Sequence, residues 1–249
     1  MSTTLLPGNL FLSGLPSEDL SLLRPLLATA ELRVGDVLHR CGTAIDEIFF
    51  PHSGVAILTA PQREGAGAGF ALIGREGIAG GFAAVASAPA TCDCEVLIGG
   101  QASRMSASAF RQALDHSSSL RCWASQSDHA LMAQTQQTAL CNAAHSVEAR
   151  ICRWLLDIQD RSGGERIPLT QGTLAQLLGV RRTTVTLVAG HLEAAGAISC
   201  RRGFMQIVDR AALEGRCCEC YARLKRRSLR AVPPCDQVMI VGSVRSRAT

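Results

Sequence analysis

The chain has 249 residues, of which 47% are hydrophobic and 18% charged, with a formal net charge of +4. This composition excludes a disordered polymer and leaves room for one or two domains, each with a packed core. The charge is unevenly spread: residues 1–145 carry eight basic against twelve acidic side chains, and residues 146–249 carry seventeen against nine. The second half is therefore the one suited to a polyanion such as nucleic acid. No basic stretch precedes an apolar core at the N-terminus, and the longest weakly polar run, Ile78 to Ala90, is too short and too interrupted to span a bilayer. A cytoplasmic protein that does not engage membranes is expected.

In chain order, Ser17 to Leu27 reads as a short helix with Ser17 as its N-cap and Glu18 and Asp19 at its positive end. From Glu31 to about Met105 short apolar runs alternate with turn signals, placing strands at Val37–His39, Glu47–Phe50, Gly54–Ala60, Gly69–Ile73 and Cys94–Ile98. Strands this short and this regularly spaced indicate an antiparallel barrel or sandwich. The loop holding Gly65, Gly67 and Gly69 lacks the spacing of a phosphate cradle and no helix pattern follows it, so it reads as a hairpin connection.

Ser117 to His145 contains neither proline nor glycine and predicts a helix of roughly 43 Å at ~1.5 Å per residue. Leu120, Trp123, Ala130, Gln134 and Cys141 recur on it at helical spacing, and a helix of this length suggests a parallel or antiparallel partner helix, the alternative being a core helix within one subunit. Those five residues are the expected dimer interface. Another helix is predicted from Val147 to about Arg161, with Ser146 as N-cap and Gly163–Gly164 as its stop.

The most specific pattern runs from Leu169 to Asp209. Thr170 caps a short helix, Gln171 to Leu178; Gly179 supplies the positive φ of a tight turn; a second helix runs from about Arg182 to Ala195. Val185, Val188 and Leu192 face inward on that helix and leave Arg182, Thr183 and Thr186 outside. Ala197–Arg201 and Phe204–Val208 then form a hairpin, or wing, with Arg201 and Arg202 at its tip. A helix fits the DNA major groove, arginine can pair with two guanine acceptors, and threonine can touch a thymine methyl. Arg182, Thr183 and Thr186 are the expected base contacts; Thr170, Arg181, Arg201 and Arg202 are the expected phosphate contacts.

Eleven cysteines are present, and only Cys217 and Cys220 stand at C-x2-C spacing, without a second pair or a histidine at zinc-ligand spacing. No metal site is expected, and most cysteines read as small buried residues. The six histidines are scattered and no nucleophile–base set stands out, so the chain is not read as an enzyme.

The segment LTQGTLAQLLGVRRTTVTLVAGHLEAAGAI (Leu169 to Ile198), the wing CRRGFMQIVDR, the upstream run NAAHSVEARICRWLL and the CECY at Cys218 to Tyr221 resemble the Crp/Fnr family of bacterial transcription regulators, named for the cyclic-AMP receptor protein and the fumarate–nitrate regulator. The resemblance implies an α+β chain in four parts. Residues 1–116 would form a cyclic-nucleotide-binding-like β-roll, 117–145 a dimerisation helix, 146–222 a winged helix-turn-helix, and 223–249 a basic, loosely ordered tail. It implies a homodimer on double-stranded DNA, with RNA polymerase a candidate partner; the alternative is a small-ligand signalling module whose winged helix meets protein. Where family members hold a cyclic nucleotide with glutamate and an arginine–serine pair, this chain has Gly81 beside Gly80, then Ala90 and Thr91, and no Arg or Lys lies between Glu76 and Ser103. No cysteine precedes Cys41 to match the iron–sulfur branch. Neither cofactor is expected, and the four residues mark a vestigial effector pocket.

Overall fold

The computed structural model describes residues 8–62 and 67–230, with side chains except at 82, 83 and 227–230. Its order is α1 (Leu10–Gly14), α2 (Ser17–Leu23) with a 3₁₀ turn at Arg24–Leu26, β1 (Ala28–Leu32), β2 (Val37–His39), β3 (Glu47–Pro51), β4 (Val55–Ala60), β5 (Ala68–Ile73), α3 (Gly81–Ala86), β6 (Asp93–Ile98) and β7 (Gly100–Ser106). Then follow α4 (Ala107–His116), α5 (Ser118–Ala144), α6 (Val147–Ser162), β8 (Arg166–Ile167), α7 (Gln171–Leu178), α8 (Arg182–Ala194), β9 (Ile198–Arg201), β10 (Phe204–Ile207), α9 (Arg210–Arg216) and α10 (Glu219–Arg230).

Two antiparallel sheets, ordered β1-β7-β3 and β2-β6-β4-β5, make the N-terminal roll, and a third, β8-β10-β9, carries the wing. The expected α+β class, with a roll, a long helix and a winged helix-turn-helix in that order, is borne out. Both β1 and β7 escaped the sequence pattern. Their residues ATAEL and GQASRMS are weak strand formers, and pairing decides their state, with β7 bonded on one side to β1 and on the other to β3. Helix α2 begins at its expected cap, Ser17, one residue earlier than that cap would set: Pro16 holds the N-cap position and no side chain caps the turn.

Three buried polar side chains fasten the helices to the roll. Asn9 accepts from the Leu12 amide and donates through Nδ2 to the carbonyls of Pro51 and Gly77, at 2.9 and 3.1 Å. Asp19 accepts the hydroxyls of Ser117 and Ser119, tying α2 to the start of α5. Gln134, in the middle of α5, takes up both backbone groups of Leu72: the Leu72 amide donates to its Oε1 at 2.7 Å and its Nε2 donates to the Leu72 carbonyl at 3.0 Å. Because β5 is the last strand of its sheet, these bonds satisfy part of an edge that would otherwise remain open.

The expected dimer stripe needs correction. Leu120, Trp123, Gln134 and Cys141 are buried within their own protomer, and Ala130 is half-buried. Leu120 and Trp123 join an apolar cluster with Phe11, Phe50 and Phe110, and Trp123 meets Phe11 edge-on at 6.1 Å between ring centroids. Burial against a partner is therefore closed to the four buried side chains, and Ala130 alone of the five is partly open.

The C-terminal core crosses into the roll. Trp154, Leu155, Ile158, Leu174, Leu177, Val185 and Leu192 form one cluster with Val55, Ile57, Leu72 and Leu97 of the roll. Gly69 permits the approach, since a Cβ there would lie 3.0 Å from Ile57 and 3.3 Å from Leu177. An ion pair from Arg161 Nε to Glu76 Oε1 at 2.7 Å crosses the same seam. The tail expected from Arg223 onward is helical as far as Arg230 within α10; Pro233–Pro234 and the rest lie outside the described residues. Among the described residues no helix is long and apolar enough to cross a membrane.

Candidate nucleic-acid interface

The surface read as DNA-facing is assembled from local rules. Thr170 adopts extended backbone geometry and its Oγ1 accepts the Thr173 amide at 3.0 Å, starting α7. Gly179 ends that helix in the left-handed region at φ 64° and turns the chain within three residues into α8. Leu174, Ala175, Leu177, Leu178, Val185, Ala189 and Leu192 are buried between the two helices and α6, and this inward face fixes which side of α8 stays outside.

Outside are Arg181 at the N-cap, Arg182, Thr183, Thr186 and Leu187, all exposed. Residues 182, 183, 186 and 187 fall on one face, at the end of the helix where unpaired backbone amides give partial positive charge. All seven expected contact residues, including Thr170, Arg201 and Arg202, are exposed. The two threonines differ. Thr186 donates to Gln171 Oε1 at 2.8 Å, so α7 steers its hydroxyl, whereas Thr183 is exposed on the first turn. Arg201 leans on Glu193 at 3.6 Å; no ion-pair partner exists for Arg181, Arg182 or Arg202 among the described residues.

Two features escaped the sequence pattern. Arg166 stacks its guanidinium over Phe204, 5.5 Å from the ring centroid, and adds a third arginine to the wing sheet. Gln171 is the second, and only its tertiary position beside Thr186 reveals its part. Leu187 is 62% exposed, a large apolar group held out on the polar side of a helix, suited to a thymine methyl.

The four expected pocket residues, Gly80, Gly81, Ala90 and Thr91, do converge. They line a cavity of about 250 Å³ together with His39, Leu58, Phe70, Leu131 and Met132, so α5 forms one wall. Among the described residues no lysine or arginine contributes to it. Burial pushes the Cys92 thiol up to about 11 and that of Cys94 higher, keeping both protonated and poorly nucleophilic. The C-terminal cysteines separate in space: Cys217 turns toward the Ala149 carbonyl, while Cys218 and Cys220 meet Cys141 and His145 of α5. The expectation that no histidine partner exists, drawn from spacing alone, is corrected by this meeting of distant segments.

Residues 149–216 match the family model of the Crp-like helix-turn-helix domain. Solved structures share the fold over about three quarters of the chain. FixK2 from Bradyrhizobium japonicum is 13% identical, with TM-score 0.65, over 77% of this chain and 98% of that one. The c-di-GMP responsive global regulator CLP of Xanthomonas campestris is 16% identical, with TM-score 0.60, over 77% and 99%. A CRP-family transcriptional regulator from Thermus thermophilus is 16% identical, with TM-score 0.62, over 75% and 95%. None of the curated protein sequences matches the chain.

The cavity generates a pH prediction. Asp128 lines it, and burial raises its carboxyl to about 6. The folded-state value lies above the unfolded one of 3.8, so ionisation opposes folding. Stability is full below about pH 4 and falls as pH rises through about 6. Asp128→Asn should be more stable than the parent near pH 8 by about 1 kcal/mol, allowing for solvent screening, and equal to it near pH 4. Urea melts at both pH values check this; a pH-independent difference would show that the carboxyl is solvated.

Proposed function

We propose that this Crp/Fnr-type regulator binds a two-fold DNA operator as a homodimer, inserting the first turn of α8 into the major groove. The observation that carries this reading is the exposure of Arg182, Thr183 and Leu187 on one helical face, flanked by Arg181, Arg201 and Arg202. Arg182 is the base-reading arginine, directed at the N7 and O6 of a guanine. Thr183 and Leu187 supply shape and methyl contacts, with Thr186 placed by Gln171. Arg181, Arg202 and the helix cap at Thr170 hold phosphates on either side, giving affinity without sequence information. A chromosomal target places the protein in the cytoplasm, and RNA polymerase is the partner that would read its occupancy.

Dimerisation falls to the outer face of α5. Ser125, His129, Met132, Gln136, Ala139 and Ala143 are exposed and alternate at spacings of four and three, the repeat of a two-helix seam. Met132 at 52% exposure and Leu140 at 46%, just beside the seam, are large apolar side chains on this face. The small side chains of Ser125, Ala139 and Ala143 let two helices approach closely. A pair of copies so joined would present two α8 helices to successive major grooves, ~34–36 Å apart.

No cyclic nucleotide is assigned to the cavity. Among the described residues an anion there would find no lysine or arginine on the wall and would be desolvated without compensation.

Three outcomes are expected. Arg182→Ala should lower affinity for the selected operator by about 1–3 kcal/mol and relax the base preference at one position in each half-site; retention of full specificity in a binding-site selection would remove Arg182 from the base contacts. Arg202→Ala should weaken all sequences alike and reduce the slope of log affinity against log salt by roughly one; a sequence-selective loss would contradict a phosphate role. The double variant Met132→Asp, Leu140→Asp should sediment as a monomer while the parent sediments as a dimer; an unchanged dimer would place the interface elsewhere.

A further inference from the structure

Apart from the DNA-facing surface, four side chains converge where α5 ends and α10 begins. Cys141 lies in the last turn of α5 and His145 is the extended residue that caps its end, while Cys218 and Cys220 lie at the start of α10. One donor atom from each, three Sγ and one imidazole nitrogen, all fall within 4.8 Å of one another. The Sγ atoms of Cys141 and Cys218 are 3.6 Å apart, and Cys220 Sγ is 3.5 Å from His145 Nδ1.

These distances have a specific meaning. A tetrahedron with metal–sulfur bonds of ~2.3 Å and metal–nitrogen bonds of ~2.05 Å has S···S edges of roughly 3.7 Å and S···N edges of roughly 3.5 Å. A disulfide would need its sulfurs at ~2.05 Å, and all four cysteines of this region, Cys141, Cys217, Cys218 and Cys220, are free thiols. Cys141 and Cys220 are fully buried and Cys218 nearly so.

The surroundings fit as well. His145 turns Nδ1 inward and sets Nε2 3.3 Å from a Glu219 carboxylate oxygen, the outer carboxylate that fixes the tautomer of a metal-bound histidine. Gln137 donates its amide to Cys220 Sγ at 3.0 Å, a bond that stabilises a thiolate. The buried guanidinium of Arg150 interacts electrostatically with Cys141 and donates to the Leu178 carbonyl at 2.5 Å, so positive charge stands beside a donor set that would carry three thiolates. Cys217, next in sequence, has Ala149 O at 3.9 Å and is not among the four donors.

We propose that Cys141, His145, Cys218 and Cys220 bind one zinc ion in a closed four-coordinate site. Sulfur and imidazole donors exclude magnesium and calcium, which require oxygen. Donor atoms this close enclose a single ion and not a multi-iron cluster, and four protein ligands leave no open position for catalysis. Binding displaces the three thiol protons to solvent as the thiolates form. The ligand pairs bracket the winged domain in sequence: one pair precedes α6 and the other follows α9. The ion would clasp α10 back onto α5 and close a loop of 77 residues between Cys141 and Cys218.

The test uses the full chain without a polyhistidine tag, purified under reducing, anaerobic conditions from zinc-supplemented cells. Elemental analysis should find about one zinc per chain, and metal-stripped protein titrated with Co²⁺ should develop the intense visible bands and thiolate charge transfer of tetrahedral cobalt. Cys220→Ser and His145→Ala should lower the retained zinc about tenfold or more, while Cys217→Ser and Cys41→Ser leave it unchanged. Because a buried serine can cost the fold, the Co²⁺ spectrum of the unmutated chain decides independently. Wild-type protein without zinc whose Co²⁺ spectrum stays that of the aqueous ion, iron with acid-labile sulfide in place of zinc, or full zinc retention in folded Cys220→Ser would each overturn the proposal. Every readout is metal content or metal spectrum, so the outcome does not depend on DNA binding.

Discussion

Gln134 and Leu72 share two hydrogen bonds on which the arrangement of the molecule depends. Leu72 sits on β5, the edge strand of the larger roll sheet, and an amide side chain has the one donor and one acceptor that an open strand residue needs. By meeting both, Gln134 fixes the height of α5 against the roll. That height then fixes the rest. Ser117 and Ser119 reach Asp19 at one end of the helix, and Cys141 and His145 reach Cys218 and Cys220 at the other. An apolar residue at 134 would leave Leu72 with two unpaired backbone groups in a buried setting, a loss of about 1–3 kcal/mol for each group.

The same helix is asked to serve opposite sides. Its inner face carries Leu120 and Trp123 but also Gln134, Gln137 and Thr138, all buried, while Met132 and Leu140 stand outside. Polar groups in and apolar groups out nearly cancel, and the pattern loses direction. This is why the sequence pointed the stripe of Leu120, Trp123 and Cys141 toward a partner when the N-terminal core takes Leu120 and Trp123 and the start of α10 takes Cys141: apolar spacing identifies a face, but it cannot say what covers that face. The helix itself was plain from its freedom from proline and glycine and from Ser117, whose hydroxyl caps the Leu120 amide.

Legibility elsewhere followed the range of the interactions. The helix-turn-helix and wing were readable because each step is local: a threonine cap, a glycine at positive φ, an inward row of Leu and Val, and a glycine turn at Gly203. The pocket was readable as a lack of Arg and Lys between Glu76 and Ser103, although its wall from α5 was not. The strands β1 and β7 were hidden, since their state is set by partners far along the chain. Most hidden of all was the thiol–imidazole cluster. Its ligands form two local pairs, His four residues after Cys and Cys two after Cys, and neither spacing marks a metal motif alone. Only the contact of α10 with α5 joins them.

One residue shows how closely these parts are bound together. Met132 is on the wall of the cavity and also in the exposed seam of α5. Its flexible thioether is suited to such a double position, because it can fill an irregular wall and still adapt to a packed neighbour. The consequence is mechanical. Any change in how the cavity is filled must be accommodated by Leu131, Met132 and Thr135, neighbours within little more than one turn of a helix whose centre is held by Gln134 and whose ends are held by Asp19 and by the cysteine cluster. Between those three anchors the side chains of its outer face remain exposed. That outer face is the one assigned to the second copy of the chain, and the helix leads directly through His145 and Ser146 into α6 and the winged helix-turn-helix.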